Sequence, residues 1–249
     1  MLIFQLYELL SDYARAARKQ LAPCQYRAVI FDLGGVYVKY KDQALINSIS
    51  QIASSNDTTL GRMFQDYELG KISFQQLKKS VDLRVNGQTP DRDLETNPVL
   101  AANSAQFPAS GKDENIGRAI ERLRFYGLKT ALLTNIGYTD DSMTTTVAGV
   151  PAQQLSDFDA VVESCRVQMR KPNPRIYESV ARRMQLRPAE CIYVDELARN
   201  CRGAEVAGMK SIQARPLALN PLQFVLQVIG GDTKRTVDQL SKLLGLDLF

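Results

Sequence analysis

A chain of 249 residues, 45% of them hydrophobic, is long enough for one α/β domain of ordinary size plus an inserted subdomain. Its net charge of +4 comes from lysines and arginines scattered among acids with no long basic block, which argues against a nucleic-acid partner and suits a small anionic substrate. There is no histidine, so histidine-built zinc sites, histidine general acids and every Ser–His or Cys–His nucleophile are excluded, and hydrolytic chemistry must run on carboxylates, lysine or a hard metal.

In residues 1–25, Leu2, Ile3, Leu6, Leu9, Leu10, Tyr13, Ala14 and Ala17 share one helical face. Glu8 and Asp12 interrupt it and no apolar run approaches the ~18 residues of a membrane span, so neither a transmembrane helix nor a signal peptide is expected. An amphipathic helix for packing or homo-oligomer formation is the reading, with an interfacial membrane helix as the alternative. Cys24, Cys165, Cys191 and Cys201 form no C-x-x-C pair, and unpaired cysteines suit a reducing, cytoplasmic setting.

The apolar run Ala28 to Phe31 predicts a buried strand that delivers Asp32 at its end, where Gly34 and Gly35 turn the chain. In an open parallel sheet, ligands sit outside the carboxyl ends of the strands, so Asp32 faces a site; a turn-capping aspartate is the plainer alternative. Residues 43–108 change character: 43–52 and 74–81 carry helical patterns, no parallel-strand run appears, and 86–112 reads as a looser connection. This predicts a helical insertion at 43–108 within a core formed by residues 26–42 and 109–249. From Asp113 onward, helix alternates with strand: a helix over 114–126 capped by Gly127, a strand 129–134, a strand 160–163, a helix 175–184 after Pro172 and Pro174, a strand 191–194, a helix ending near Ala207, a strand 210–214 and a closing helix 236–244. The fold class is therefore α/β, a doubly wound parallel sheet with an inserted helical cap subdomain.

Three strands end in polar residues at one sheet edge, Asp32, Thr134-Asn135 and Asp195-Glu196, and Lys171 opens a helix on the same side. A carboxylate nucleophile, a hydroxyl and amide for phosphate oxygens, an ammonium for charge and a distal acid pair for a hard cation make a phosphoryl-transfer set.

The order and intervals of Ile30-Phe-Asp-Leu-Gly-Gly-Val36, Ala131-Leu-Leu-Thr-Asn135, Lys171-Pro-Asn-Pro-Arg-Ile-Tyr177 and Ile192-Tyr-Val-Asp-Glu-Leu-Ala-Arg-Asn200 resemble the four motifs of the haloacid dehalogenase-like hydrolase superfamily. The stretch 162–177 is most similar to the N-terminal phosphatase domain of bifunctional epoxide hydrolases and the related domain of acyl-CoA dehydrogenase fusions. The resemblance covers about residues 26–249. It implies a magnesium-dependent phosphatase with a Rossmann-like core, acting on a small organic or lipid phosphate monoester. Asp32 would attack phosphorus and ligate Mg2+ together with the Gly34 carbonyl, Asp195 and Glu196. Thr134 and Asn135 would bind the phosphate, Lys171 would orient Asp32, and Asn200 would support the acids. The insertion would be a cap, with Tyr67 to Phe74 as its turn. Two positions depart from the family pattern: Gly34 stands where phosphatases usually have an acid-base aspartate, and Glu196 stands for a metal-ligating aspartate. These departures keep two other readings open, a catalytically weak domain that binds phosphate ligands or a partner, and a metal-independent dehalogenase.

Overall fold

The computed structural model describes residues 8–10, 12–13, 16, 25–40, 59–86, 109–146, 155–214 and 233–249. The helix predicted at 43–52 lies outside them, and of the N-terminal helix only residues 8–10, 12–13 and 16 are described, helical and exposed.

Five parallel strands form the central sheet: β1 (Ala28–Phe31), β4 (Lys129–Thr134), β5 (Ala160–Glu163), β6 (Cys191–Asp195) and β7 (Lys210–Gln213), in the order β5-β4-β1-β6-β7. All were predicted within a residue. β1 is central, with Phe31 opposite Leu132 on one side and Val194 on the other. The Asp32 N–H continues the ladder to Val194 O at 2.8 Å, so Asp32 leaves the sheet beside Leu133 and Asp195.

Alternation along these strands fills two layers. Val29, Phe31, Leu132, Ile192 and Val194 pack under α3 (Glu114–Phe125) and α7 (Thr233–Leu244), through Ile116, Ile120, Leu123, Val237 and Leu240. Ala28, Ile30, Ala131, Leu133 and Tyr193 face α5 (Pro174–Arg183) and α6 (Ala198–Val206), through Ile176, Tyr177, Val180 and Ala204. Helices on both faces of a parallel sheet are the doubly wound arrangement that the alternation predicts. α7 starts three residues earlier than predicted because Thr233 donates to Asp113 Oδ2 at 3.0 Å and accepts from Asn115 at 3.1 Å.

The 86–112 tract differs from its reading as a plain connection. Its end, Ala109–Lys112, is a strand, β3, antiparallel to β2 (Val38–Tyr40), with Val38 opposite Lys112. Asp113 then donates its N–H to Tyr37 O at 2.8 Å and caps α3 by accepting from Asn115 and Ile116. Between β2 and β3 lie α1 (Thr59–Glu68) and α2 (Phe74–Asn86), the latter longer than predicted. They dock on the core at the turn between them: Phe74 N–H donates to Tyr138 O at 2.8 Å, Ser73 bonds Asp141, and the Tyr67 ring lies so close to Gly137 that a Cβ there would meet it at 2.1 Å. Gly70, at φ +69, approaches Cys165 O, which a Cβ would meet at 2.6 Å.

Candidate active site

The sheet's register brings the sequence-predicted residues together. Asp32, Thr134, Asn135, Lys171, Glu196 and Asn200 all line one cavity of about 80 Å³, with Gly34 in its wall. That is well under the roughly 300–1,000 Å³ of sites that enclose a whole ligand, so anything larger than a phosphoryl-sized group must extend out of it.

Lys171 organises the polar core. Its ammonium, 2% exposed, lies 2.7 Å from Asp32 Oδ1, 2.9 Å from Asp195 Oδ2 and 3.2 Å from Leu133 O. Burial works against its charge, but the carboxylates of Asp195 and Asp32 outweigh it and raise the pKa above the ordinary lysine value. Lys171 is held from its main chain: Asn135 accepts its N–H at 2.8 Å and donates to its carbonyl at 3.1 Å. The Asn135 amide is thus largely engaged in fixing the lysine's segment. α6 closes on the next residue, where a Cβ at Gly203 would meet Pro172 O at 2.4 Å.

Asp195 is fully buried, and its two oxygens accept from Lys171, from Leu197 N–H at 2.7 Å, from Asn200 Nδ2 at 3.0 and 3.1 Å, and from the Tyr193 hydroxyl. Tyr193 was missed by the sequence reading, yet the signal was there: it stands two residues before Asp195 on the same strand face. Tyr177 was quoted only within a motif; it packs edge-on against Tyr193 at 5.1 Å and donates to Asn200 O at 2.8 Å. Also missed were Glu68, Arg170 and Arg199. Glu68 Oε2 accepts from Arg170 Nε at 2.6 Å and lies 3.4 Å from Asn135 Nδ2, while the Glu68 carbonyl accepts from Ser164 Oγ at 2.7 Å.

Asp32, Asp195 and Glu196 each present a carboxylate oxygen within 4.8 Å of the others. Burial pushes the Asp32 carboxyl up to about 6, with Lys171 lowering it and Asp195 raising it. Burial, then Asp195 and Asp32, drive Glu196 well above the ordinary range. Glu196 Oε2 is buried with no hydrogen-bond partner. A buried, unpartnered carboxylate oxygen beside two like charges fits a hard cation, and its extra methylene over aspartate does not remove it from the cluster. Glu196→Gln is therefore expected to raise the melting temperature in chelator at neutral pH, by roughly 2–6 °C, and to erase most of the stabilisation that added magnesium gives the wild type. Thermal denaturation with and without magnesium checks this; a variant that gains as much from magnesium as the wild type removes Glu196 from the cation site.

No helix among the described residues is long and apolar enough to cross a membrane. Cys165, Cys191 and Cys201 are free and buried.

Comparison with known proteins agrees with this geometry. Mouse acyl-CoA dehydrogenase family member 10 is 30% identical over 215 residues, 81% of this chain and 19% of that protein. Rat bifunctional epoxide hydrolase 2 is 26% identical over 204 residues, 77% of the chain and 37% of that protein, so the chain spans well under half of either. Glyceraldehyde 3-phosphate phosphatase of Methanopyrus kandleri is 42% identical over 143 residues, 53% of the chain and 56% of that protein. A HAD-family enzyme of Bacteroides thetaiotaomicron, solved with magnesium and inorganic phosphate, superposes with a TM-score of 0.51 at 17% identity, covering 81% of this chain and 100% of its own, a likeness of fold. The haloacid dehalogenase-like hydrolase sequence model matches residues 26–208, the span that runs from the strand delivering Asp32 to the turn after α6, and with that match the chain belongs to the haloacid dehalogenase-like hydrolases.

Proposed function

We propose that this hydrolase is a magnesium-dependent phosphatase that cleaves a small organic or lipid phosphate monoester through an aspartyl-phosphate at Asp32. The observation that carries the reading is the buried Lys171 ammonium shared between Asp32 and Asp195, beside the unpartnered Glu196 oxygen. Relatives named as phosphatases support it.

Asp32 Oδ1 accepts from Lys171 Nζ at 2.7 Å and from Leu33 N–H at 2.7 Å, which fixes the carboxylate's rotation. Oδ2 is then the attacking oxygen: its bond to phosphorus forms as the ester oxygen–phosphorus bond breaks, and water later cleaves the acyl phosphate. Thr134 offers a hydroxyl donor to the phosphoryl oxygens, Lys171, its three N–H groups held by Asp32, Asp195 and Leu133 O, supplies compensating charge, and Asn135 keeps Lys171 in place. Asp195, its oxygens already taken by protein donors, positions Lys171 and stands behind the ligands. Magnesium held by Asp32, Glu196 and the Gly34 carbonyl would neutralise charge on the phosphoryl group. The insertion at 43–108 is read as the cap, since α1 ends at Glu68 in the cavity wall. The N-terminal helix is read as a self-association surface, and a cytoplasmic setting accords with the free buried cysteines.

The test is phosphate release from an activated aryl phosphate, with magnesium and with excess chelator. Magnesium-dependent turnover upholds the reading; magnesium-independent turnover returns the dehalogenase-like alternative. Absence of turnover favours a domain that binds phosphate without cleaving it, the second reading, which Gly34 motivates.

Gly34 has no side chain with which to protonate the leaving oxygen. The left-handed conformation belongs to Gly35 (φ +76), and Gly34 does not share it, so its backbone admits a side chain. Gly34→Asp is expected to raise kcat on alkyl phosphates by roughly 10- to 100-fold, and far less on an aryl phosphate whose leaving group needs no proton. Equal gains on both esters would exclude general-acid rescue.

A further inference from the structure

Once a phosphoryl group is on Asp32, water has to displace it, and a base that takes a proton from that water speeds the step. The chain has no histidine for the task, and Lys171, set between two acids, keeps its own proton. Of the carboxylates in the described lining, Asp32 would carry the phosphoryl group and Glu196 belongs to the cation cluster, which leaves Glu68. Asp195, behind them, has both oxygens taken by protein donors.

Glu68 is held from several directions. α1 ends on it, its carbonyl accepts from Ser164 Oγ at 2.7 Å, and its Oε2 accepts from Arg170 Nε at 2.6 Å with Asn135 Nδ2 at 3.4 Å. Oε1 accepts from no described residue and, unlike Glu196 Oε2, is not shut away from water. Burial, outweighing Arg170, raises the Glu68 carboxyl above its ordinary value, the direction a proton acceptor needs. In a cavity of about 80 Å³ a phosphoryl group leaves room for little more than a water, so that water has the lining residues, Glu68 among them, as its neighbours.

We propose that Glu68 is the general base of the second half-reaction. Its Oε1 takes a proton from the water whose oxygen bonds to phosphorus; the bond from phosphorus to Asp32 Oδ2 breaks, its electron pair returns to the Asp32 carboxylate, and Glu68 releases the proton to solvent. This rests on the phosphatase reading and adds to it that the insertion supplies a reacting group.

The experiment mixes magnesium-loaded wild type and Glu68→Gln with an aryl phosphate, following phenol release in the first turnover and phosphate left on the protein after an acid quench. Glu68→Gln is expected to release about one phenol per chain as fast as wild type, then to slow by roughly 10²- to 10⁴-fold with phosphate held on the protein. Adding Gly34→Asp should regain at least roughly tenfold in steady turnover, because a second carboxyl can replace the base but cannot repair a displaced insertion. A Glu68→Gln steady rate within about threefold of wild type overturns the base and leaves the phosphatase standing. So does a variant slowed equally in its first turnover, holding no phosphate and unaided by Gly34→Asp. A wild type that does not turn over the same ester removes the phosphatase reading and the base together.

Discussion

Asp32→Asn is expected to lower phosphate release by at least roughly 10⁴-fold while making the cation-free protein more stable. The two effects have one cause. Burial raises the Asp32 carboxyl from 3.8 to about 6 against the pull of Lys171, so the folded protein binds this proton more tightly than the unfolded chain. Stability from this group is therefore lost as pH rises from about 4 through about 6, at a cost of roughly 3 kcal/mol at most. Asparagine carries no such charge. In chelator at pH 8 the variant should melt roughly 3–10 °C above the wild type, with the gap closing toward pH 4.5 and narrowing again when magnesium is added. Paired melting curves and phosphate release measure both. Retained turnover would place the nucleophile elsewhere, and a less stable variant at pH 8 would mean that Lys171 alone fully compensates the carboxylate.

Lys171→Met carries the second large effect, with the opposite sign in stability. Methionine fills most of the same volume but leaves Asp32 and Asp195 buried side by side without their shared cation. Removing one member of a buried ionic cluster costs about 3–5 kcal/mol, which for a chain of this size is a fall of roughly 6–20 °C, together with loss of turnover. Without the ammonium, which lowers it, the Asp32 carboxyl moves further up, so the deficit should be largest at pH 8 and shrink toward pH 5 as Asp32 takes up its proton. Melting at the two pH values tests this. A variant as stable as the wild type at pH 8 would show that the cluster is no stability debt without its lysine, and the account of Asp32 above would fall with it.

The central strands and the residues at their carboxyl ends were legible because both are local signals. Ala28–Phe31 and Lys129–Thr134 are apolar runs that stop at polar residues, and parallel register then sets Asp32 beside Asp195 without further information. β3 was not legible. Ala-Ser-Gly-Lys contains no β-branched or aromatic residue, and it is a strand because Val38–Tyr40 lies alongside it. The Glu68–Arg170 pair spans 102 positions, and no pattern in either neighbourhood points to the other. Asn135 was read as a site residue from its place after β4, and it lines the cavity, but which hydrogen bonds its amide makes depends on where the Lys171 segment packs, a tertiary fact.

The β2–β3 ladder has an evolutionary consequence. The chain leaves the core at Tyr40 and returns at Ala109 on facing rungs, where antiparallel partners stand about 5 Å apart, so the two covalent joins of the inset lie side by side, while α1 and the turn after it add non-covalent contacts to Gly137, Tyr138 and Cys165. Loop-closure entropy grows only slowly with length, and any segment whose ends meet at that spacing can be grafted there without rerouting a core strand. Leaving-group preference can then change by wholesale exchange of the inset, and a chimaera with a foreign segment joined at Tyr40 and Ala109 would keep Asp32, Lys171 and Asp195 in register.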